Sequence, residues 1–154
     1  MSINATPSPD DVARACAEAM WREDDASKGL GMAIVEVKAG LAVLAMTVQP
    51  HMVNGQRIAH GGFIFTLADS AFAFACNSHN ERAVAAQCDI SFIRPGKLGD
   101  WLVATAREIS RNGRSGIYDV RVTVDDTVIA EFRGHSRTIG GVWLPASTTD
   151  TQQK

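Results

Sequence analysis

The chain reads as an α+β fold, a curved antiparallel sheet of about six strands wrapped around one long buried helix, with an extra N-terminal helix. Three observations predict it. From Phe63 to Cys76 only Thr66, Asp69 and Ser70 interrupt a run that is apolar on every side of a helix, and such a helix is buried. Six short runs rich in β-branched and aromatic residues flank it, two before and four after, each bounded by turn formers. The 154 residues are 45% hydrophobic and 21% charged, values of one globular domain with a real core.

Each element has its own signal. Ser8-Pro9-Asp10-Asp11 is a helix start, with proline and acids in the first turn, and the helix runs through Val12, Ala15, Ala19 and Met20 to about Asp25. Gly29 and Gly31 break the chain. Residues 32–38 and 41–48 then form a hairpin about Ala39-Gly40. A polar loop over 49–59, with Pro50, Asn54 and Gly55, leads into the buried helix. Strands at 83–94, 101–111, 115–124 and 128–138 follow, read as a four-strand meander. In the third, Tyr118, Val120, Val122 and Val124 alternate with Asp119, Arg121 and Thr123; in the fourth, Val128, Ala130 and Phe132 oppose Glu131, Arg133 and His135. The polar, Thr/Gln-rich stretch from Leu144 to Lys154 predicts a frayed tail. The expected division is a helical segment at 1–28, the main domain at 29–141 and a tail at 142–154.

Bulk properties exclude several functions. A formal net charge of −2 gives no general attraction to nucleic acid. Three cysteines at irregular spacing (Cys16, Cys76 and Cys88) make neither a disulfide framework nor a metal or redox motif. The first residues lack a basic segment followed by an apolar run, so a cytoplasmic protein is expected. The Gly61–Cys76 run is shorter than the ~20 residues of a membrane span and carries Asp69 near its middle. His51, His60, His79 and His135 lack metal-helix spacing, and there is no phosphate-binding loop, no G-x-S-x-G elbow and no G-x-G-x-x-G.

The chemistry therefore gathers at the buried helix. Asp69 is the only side chain between His60 and His79 that is charged at neutral pH, and burial should raise its pKa. It reads equally as a general base or nucleophile and as a buried acid bonded to nearby backbone. Gly61 and Gly62 follow His60 at the helix start, where free N–H groups can hold an anionic oxygen. Because the helix has no polar face, one sheet cannot cover it, and a symmetric oligomer is the economical solution.

With these residues in view, the sequence resembles the hotdog-fold acyl-CoA thioesterases, of the type associated with phenylacetic acid degradation. The resemblance rests on Asn54, His60-Gly61-Gly62, Leu67-Ala68-Asp69 and the helix continuing through Asn77. It extends through Ile90-Ser91-Phe92-Ile93-Arg94-Pro95, Gly99-Asp100, Gly113-Arg114 and Ala130-Glu131-Phe132-Arg133-Gly134. It implies hydrolysis of a CoA thioester, aryl-acetyl groups such as phenylacetyl or hydroxyphenylacetyl being suggested. Active sites would lie at the interface of a homodimer that pairs into a homotetramer, with no cofactor beyond water, since CoA belongs to the substrate.

By the same resemblance Asp69 is the catalytic carboxylate, activating water or attacking the thioester, and the Gly61 N–H polarises the carbonyl. Asn54 and His60 would support substrate or nucleophile. CoA phosphates call for basic side chains at the pocket mouth. Arg111 and Arg114 are the first candidates and Arg94 and Lys97 the next, with Gly62 as a further substrate contact and Gln87 facing the site from the partner subunit. Phe63, Phe72 and Met52 are candidates to line the acyl pocket. Two rivals stay open at this stage. One is a hotdog hydratase or dehydratase, in which His60 would be essential; the other is a non-catalytic acyl-CoA sensor.

Overall fold

Capping and turn chemistry set the element ends in the computed structural model, which describes residues 5–146. Helix α1 (Pro9–Glu23) opens on a capping box: the Ser8 hydroxyl accepts from the Asp11 N–H at 3.1 Å, and the Asp11 carboxylate accepts from the Ser8 N–H at 3.2 Å. It stops two residues before the expected end, because Asp24 caps a new short helix, α2 (Asp25–Gly29). Strands β1 (Ala33–Lys38) and β2 (Leu41–Thr47) form the expected hairpin. A short 3-10 turn at Pro50–Met52 leads to α3 (Gly61–Cys76), and four strands follow: β3 (Ala83–Phe92), β4 (Trp101–Asn112), β5 (Ser115–Val124) and β6 (Thr127–Thr138).

All pairings are antiparallel, in the order β1-β2-β4-β5-β6-β3. The expected four-strand meander is therefore corrected: only β4, β5 and β6 meander, while β3 pairs with β6 at the far edge. Loop length is the cause. β5 and β6 are joined by Asp125-Asp126, both at positive φ (47° and 66°), the backbone that a two-residue hairpin wants. The longer stretch between β3 and β4 instead crosses the sheet beyond the start of α3, where the Ala59 N–H donates to the Gly96 carbonyl at 2.8 Å.

The concave face of the sheet carries Ala42, Leu44 and Met46, Leu102, Ala104 and Ala106, Tyr118, Val120 and Val122, and Ala130 and Phe132, all buried. Against it α3 presents Ile64, Leu67, Ala68, Ala71, Phe72 and Ala75. Helix α1 lies beside β1 and adds Ala13 and Ala17 to the same core, with Trp21 against Phe74 at 6.2 Å. The opposite strip of α3, Gly62, Thr66, Asp69 and Ala73 at helical spacing, stays partly open.

Of the expected tail from Leu144 onward, residues 147–154 lie outside the described residues, and Leu144 is held together with the preceding Trp143. The Trp143 indole donates to the Asn77 side-chain carbonyl at 2.9 Å, its backbone and that of Leu144 donate to Asn80 Oδ1, and Arg82 stacks on the indole at 3.9 Å. One aromatic with several partners outweighs the polar composition around it.

Phe72 sits between Tyr118 and Phe132, at 5.7 and 5.9 Å, and fits only because Gly134 on β6 has no side chain. A Cβ at Gly134 would meet three Phe72 ring atoms at 2.7–2.8 Å. Gly134→Ala is expected to destabilise by about 1–3 kcal/mol, read as a lower urea midpoint with unchanged slope. An unchanged midpoint would mean that the ring relocates freely.

Candidate active site

The start of α3 is organised by His60. Its extended backbone (φ −63°, ψ 129°) places Nδ1 to accept the Gly62 N–H at 2.9 Å, and its carbonyl accepts the Phe63 N–H at 3.0 Å. The His60 N–H is itself held by the Met52 carbonyl at 2.7 Å. Among the described residues the Gly61 N–H has no acceptor. A single free donor thus stands at the positive end of a 16-residue helix, a preformed place for an oxyanion.

Asp69 lies on the partly open strip of α3. Burial raises its pKa, and no donor among the described residues bonds the carboxylate to oppose that shift. Cys76 and Cys88 are pushed up to about 12 and about 11, first by burial and next by the Asp69 charge. The carboxylate charge therefore reaches both thiols, one on α3 and one on the inner row of β3, where Cys88 and Ile90 pack partly buried against the core.

Gly61 and Asp69 are eight residues apart on one continuous helix, a rise of about 12 Å. A carbonyl held by the Gly61 N–H is beyond hydrogen-bond or attack distance of the same chain's Asp69. Three surface clefts of about 460, 420 and 340 Å³ lie between α1 and β1 and on the outer sheet face, and neither residue lines them.

The fold of this chain matches that of acyl-coenzyme A thioesterases. The Thioesterase superfamily model matches residues 56–131. The acyl-coenzyme A thioesterase PaaI of Escherichia coli is 46% identical over 126 residues, 81% of this chain and 90% of that protein. The chain belongs to the thioesterase superfamily. The structure of E. coli PaaI, from the phenylacetic acid degradation operon, superposes with a TM-score of 0.86 at 43% identity, over 88% of this chain and 99% of that one. A Streptococcus mutans protein solved with acetyl CoA superposes at 0.70 with 28% identity, over 72% of this chain and 90% of that one. The antiparallel sheet around α3 is the superfamily's hotdog fold.

Within this thioesterase the candidate residues form two groups. Asn54, His60, Gly61 and Gly62 gather at the start of α3, with Arg94 and Lys97 on the crossover beside it. Asn54 Oδ1 accepts from the Gln56 and Ile58 N–H groups at 3.0 and 3.4 Å, so it shapes the turn, and its amide nitrogen has no acceptor among the described residues. Arg111 and Arg114 lie at the other end of α3, around a small cleft with Cys76 and His79. Arg114 donates twice to the Thr138 carbonyl, whereas Arg111 only approaches Glu108 at 3.9 Å.

Two candidates are relocated by the structure. Gln87 alternates with Cys88 and points to the outer face with His135 and Arg137, away from α3 of its own chain. Phe72 and Met52 are core, at 1% and 0% exposure, and not open to an acyl group from this side. Phe63 is half-buried between the His51 and His60 rings, 5.9 and 6.0 Å away. Phe92 escaped the sequence reading; its ring packs on Gly61, a contact between residues far apart in the chain. Among the described residues no group of three or more His, Cys, Asp or Glu is placed to hold a metal ion, and no helix is long and apolar enough to cross a membrane.

The raised Asp69 pKa means that folding disfavours the ionised carboxylate relative to the unfolded chain. Its contribution to stability is complete below the ordinary carboxylate range, near pH ~4, and is lost as pH rises through the folded value. Asp69→Asn should therefore melt higher than the parent at neutral pH, with the gap closing in acid. A variant that melts lower at neutral pH would contradict this.

Proposed function

We propose that this thioesterase hydrolyses acyl-CoA esters, arylacetyl esters such as phenylacetyl-CoA or hydroxyphenylacetyl-CoA foremost, at a site shared by two chains. The observation that carries it is the free Gly61 N–H and the unpaired Asp69 carboxylate, about 12 Å apart on one rigid helix. Two α3 helices packed antiparallel across a two-fold axis bring Gly61 of each beside Asp69 of the other. The partly open strip of α3 supplies that contact, and the edge strand β3, with Val84 uncovered, supplies the sheet pairing.

In this dimer the thioester oxygen sits on the Gly61 N–H, a donor of a kind that contributes about 2.7–4 kcal/mol in the transition state. Asp69 from across the interface takes a proton from water as its oxygen attacks the acyl carbon. The tetrahedral intermediate collapses, the C–S bond breaks, and the CoA sulfur recovers the proton from Asp69. Direct attack by the carboxylate, followed by hydrolysis of the acyl-aspartyl anhydride, fits the same placement. His60, its Nδ1 engaged by Gly62, holds the helix start in shape, and Asn54 offers its free amide nitrogen beside it.

The antiparallel arrangement also reunites the basic residues. The C-terminal end of one α3 extends about 10 Å past the partner's Gly61, so Arg111 and Arg114 of one chain approach Arg94 and Lys97 of the other at the same mouth. CoA phosphates would lie there. Water is the only co-reactant required. The names of the E. coli and S. mutans relatives support CoA esters as the substrate class. A dimer pairing further into a tetramer, and a place in the cytoplasm, complete the reading.

Free thiol released from phenylacetyl-CoA tests the reaction. Asp69→Asn should lower kcat at least about a hundredfold while the protein still binds the ester; a near-parental rate would refute the mechanism. Arg111→Ala should raise KM several-fold for CoA esters and leave short pantetheine esters unchanged, as loss of an exposed phosphate contact would. Equal effects on both would remove Arg111 from the phosphate site.

A further inference from the structure

We propose that Phe92 determines which acyl groups this enzyme prefers, its ring forming the wall against which an aromatic acyl group lies beside the Gly61 amide. The proposal rests on the acyl-CoA reading above and adds to it a residue and a basis for selectivity.

Phe92 ends the inner row of β3 and pairs with Ala130 on β6. Its backbone is firmly anchored. The next two N–H groups, of Ile93 and Arg94, both donate to the Ile129 carbonyl, at 2.8 and 3.1 Å, where β6 bulges by one residue against β5. The Arg94 guanidinium adds a bond to the Val128 carbonyl at 3.0 Å. A side chain mounted on so fixed a backbone is pre-organised.

The ring itself reaches the helix start. A Cβ on Gly61 would fall 2.8 Å from Phe92 Cζ and 3.1 Å from Cε1, so the ring rests against the residue whose N–H is free. Yet 53% of Phe92 is exposed within one chain. A single exposed aromatic is ordinary, but this one touches the carbonyl-binding residue and leaves a face uncovered.

Substrate geometry does the rest. With its carbonyl oxygen on the Gly61 N–H, a phenylacetyl group has one methylene between the reacting carbon and its ring. That single methylene lets the ring reach the Phe92 ring, and aromatic pairs attract at centroid separations of about 4.5–7 Å. An acetyl group is too short to reach it. Phe92 thus discriminates aryl from small alkyl acyl groups without taking part in bond breaking.

The test compares kcat and KM for phenylacetyl-CoA and acetyl-CoA in the parent, Phe92→Ala, Phe92→Leu and Phe92→Tyr proteins, with melting temperatures alongside. Phe92→Ala should lower kcat/KM for phenylacetyl-CoA about tenfold or more, chiefly through KM, and change acetyl-CoA by less than about twofold. Phe92→Leu keeps an apolar side chain and should lose the same preference if the alanine variant fails to fold; Phe92→Tyr should retain it. Equal losses on both esters, or an aryl preference that survives in Phe92→Leu, would overturn the proposal. A parent protein that releases no thiol from any CoA ester would instead refute the acyl-CoA reading.

Discussion

The burial of α3 against the concave sheet is the constraint on which the rest depends. Leu67, Ala68, Ala71 and Phe72 pack into β4, β5 and β6, and glycine at 134 gives Phe72 its space. A helix locked along this whole length behaves as a rigid ruler, because its interior packs at crystal-like density. Whatever stands at its start and whatever stands two turns later keep a fixed separation. That rigidity keeps the Gly61 donor and the Asp69 carboxylate of one chain apart, and in the proposed dimer a second chain supplies the missing partner.

The same placement sets stability against reactivity. An acid on α3 with no hydrogen-bond donor is a cost that a structural role would not justify, since an asparagine or alanine would fill the space more cheaply. A raised pKa also makes the carboxylate a stronger base toward water than an exposed aspartate would be. The helix start shows the complementary economy. His60 occupies one orphan N–H and Phe63 turns back to the His60 carbonyl, which isolates the Gly61 N–H as the donor left for a ligand.

Much of this was legible in the residues. The apolar run of α3, its lone acid, the glycine pair and the alternation in β5 and β6 depend on short-range periodicity, and they led directly to the helix, the sheet and Asp69 as candidate. The strand order did not follow in the same way, because the destination of β3 is decided by the long crossover and by pairing with β6. Side-chain neighbours across the sheet were equally hidden. Phe72 and Met52 look like pocket residues until Gly134 and the sheet enclose them, and Phe92 looks like an ordinary strand residue until its ring meets Gly61. The docking of Trp143 was hidden for a similar reason: composition averages over residues, whereas this indole is held through individual bonds to Asn77 and Asn80.

The shared site is tested most directly by mixing two inactive chains. Gly61→Pro removes the donor at a first-turn position whose backbone suits proline, the half-exposed Phe92 ring having to swing aside to admit it, and Asp69→Asn removes the base. Co-assembled by joint refolding, a mixed dimer would hold one site with both lesions and one with neither. The account predicts recovery of about a quarter of parental activity from an equal mixture, by random pairing in dimers of the proposed symmetry. A mixture as inactive as its components would place both groups of each site in one chain and contradict the account.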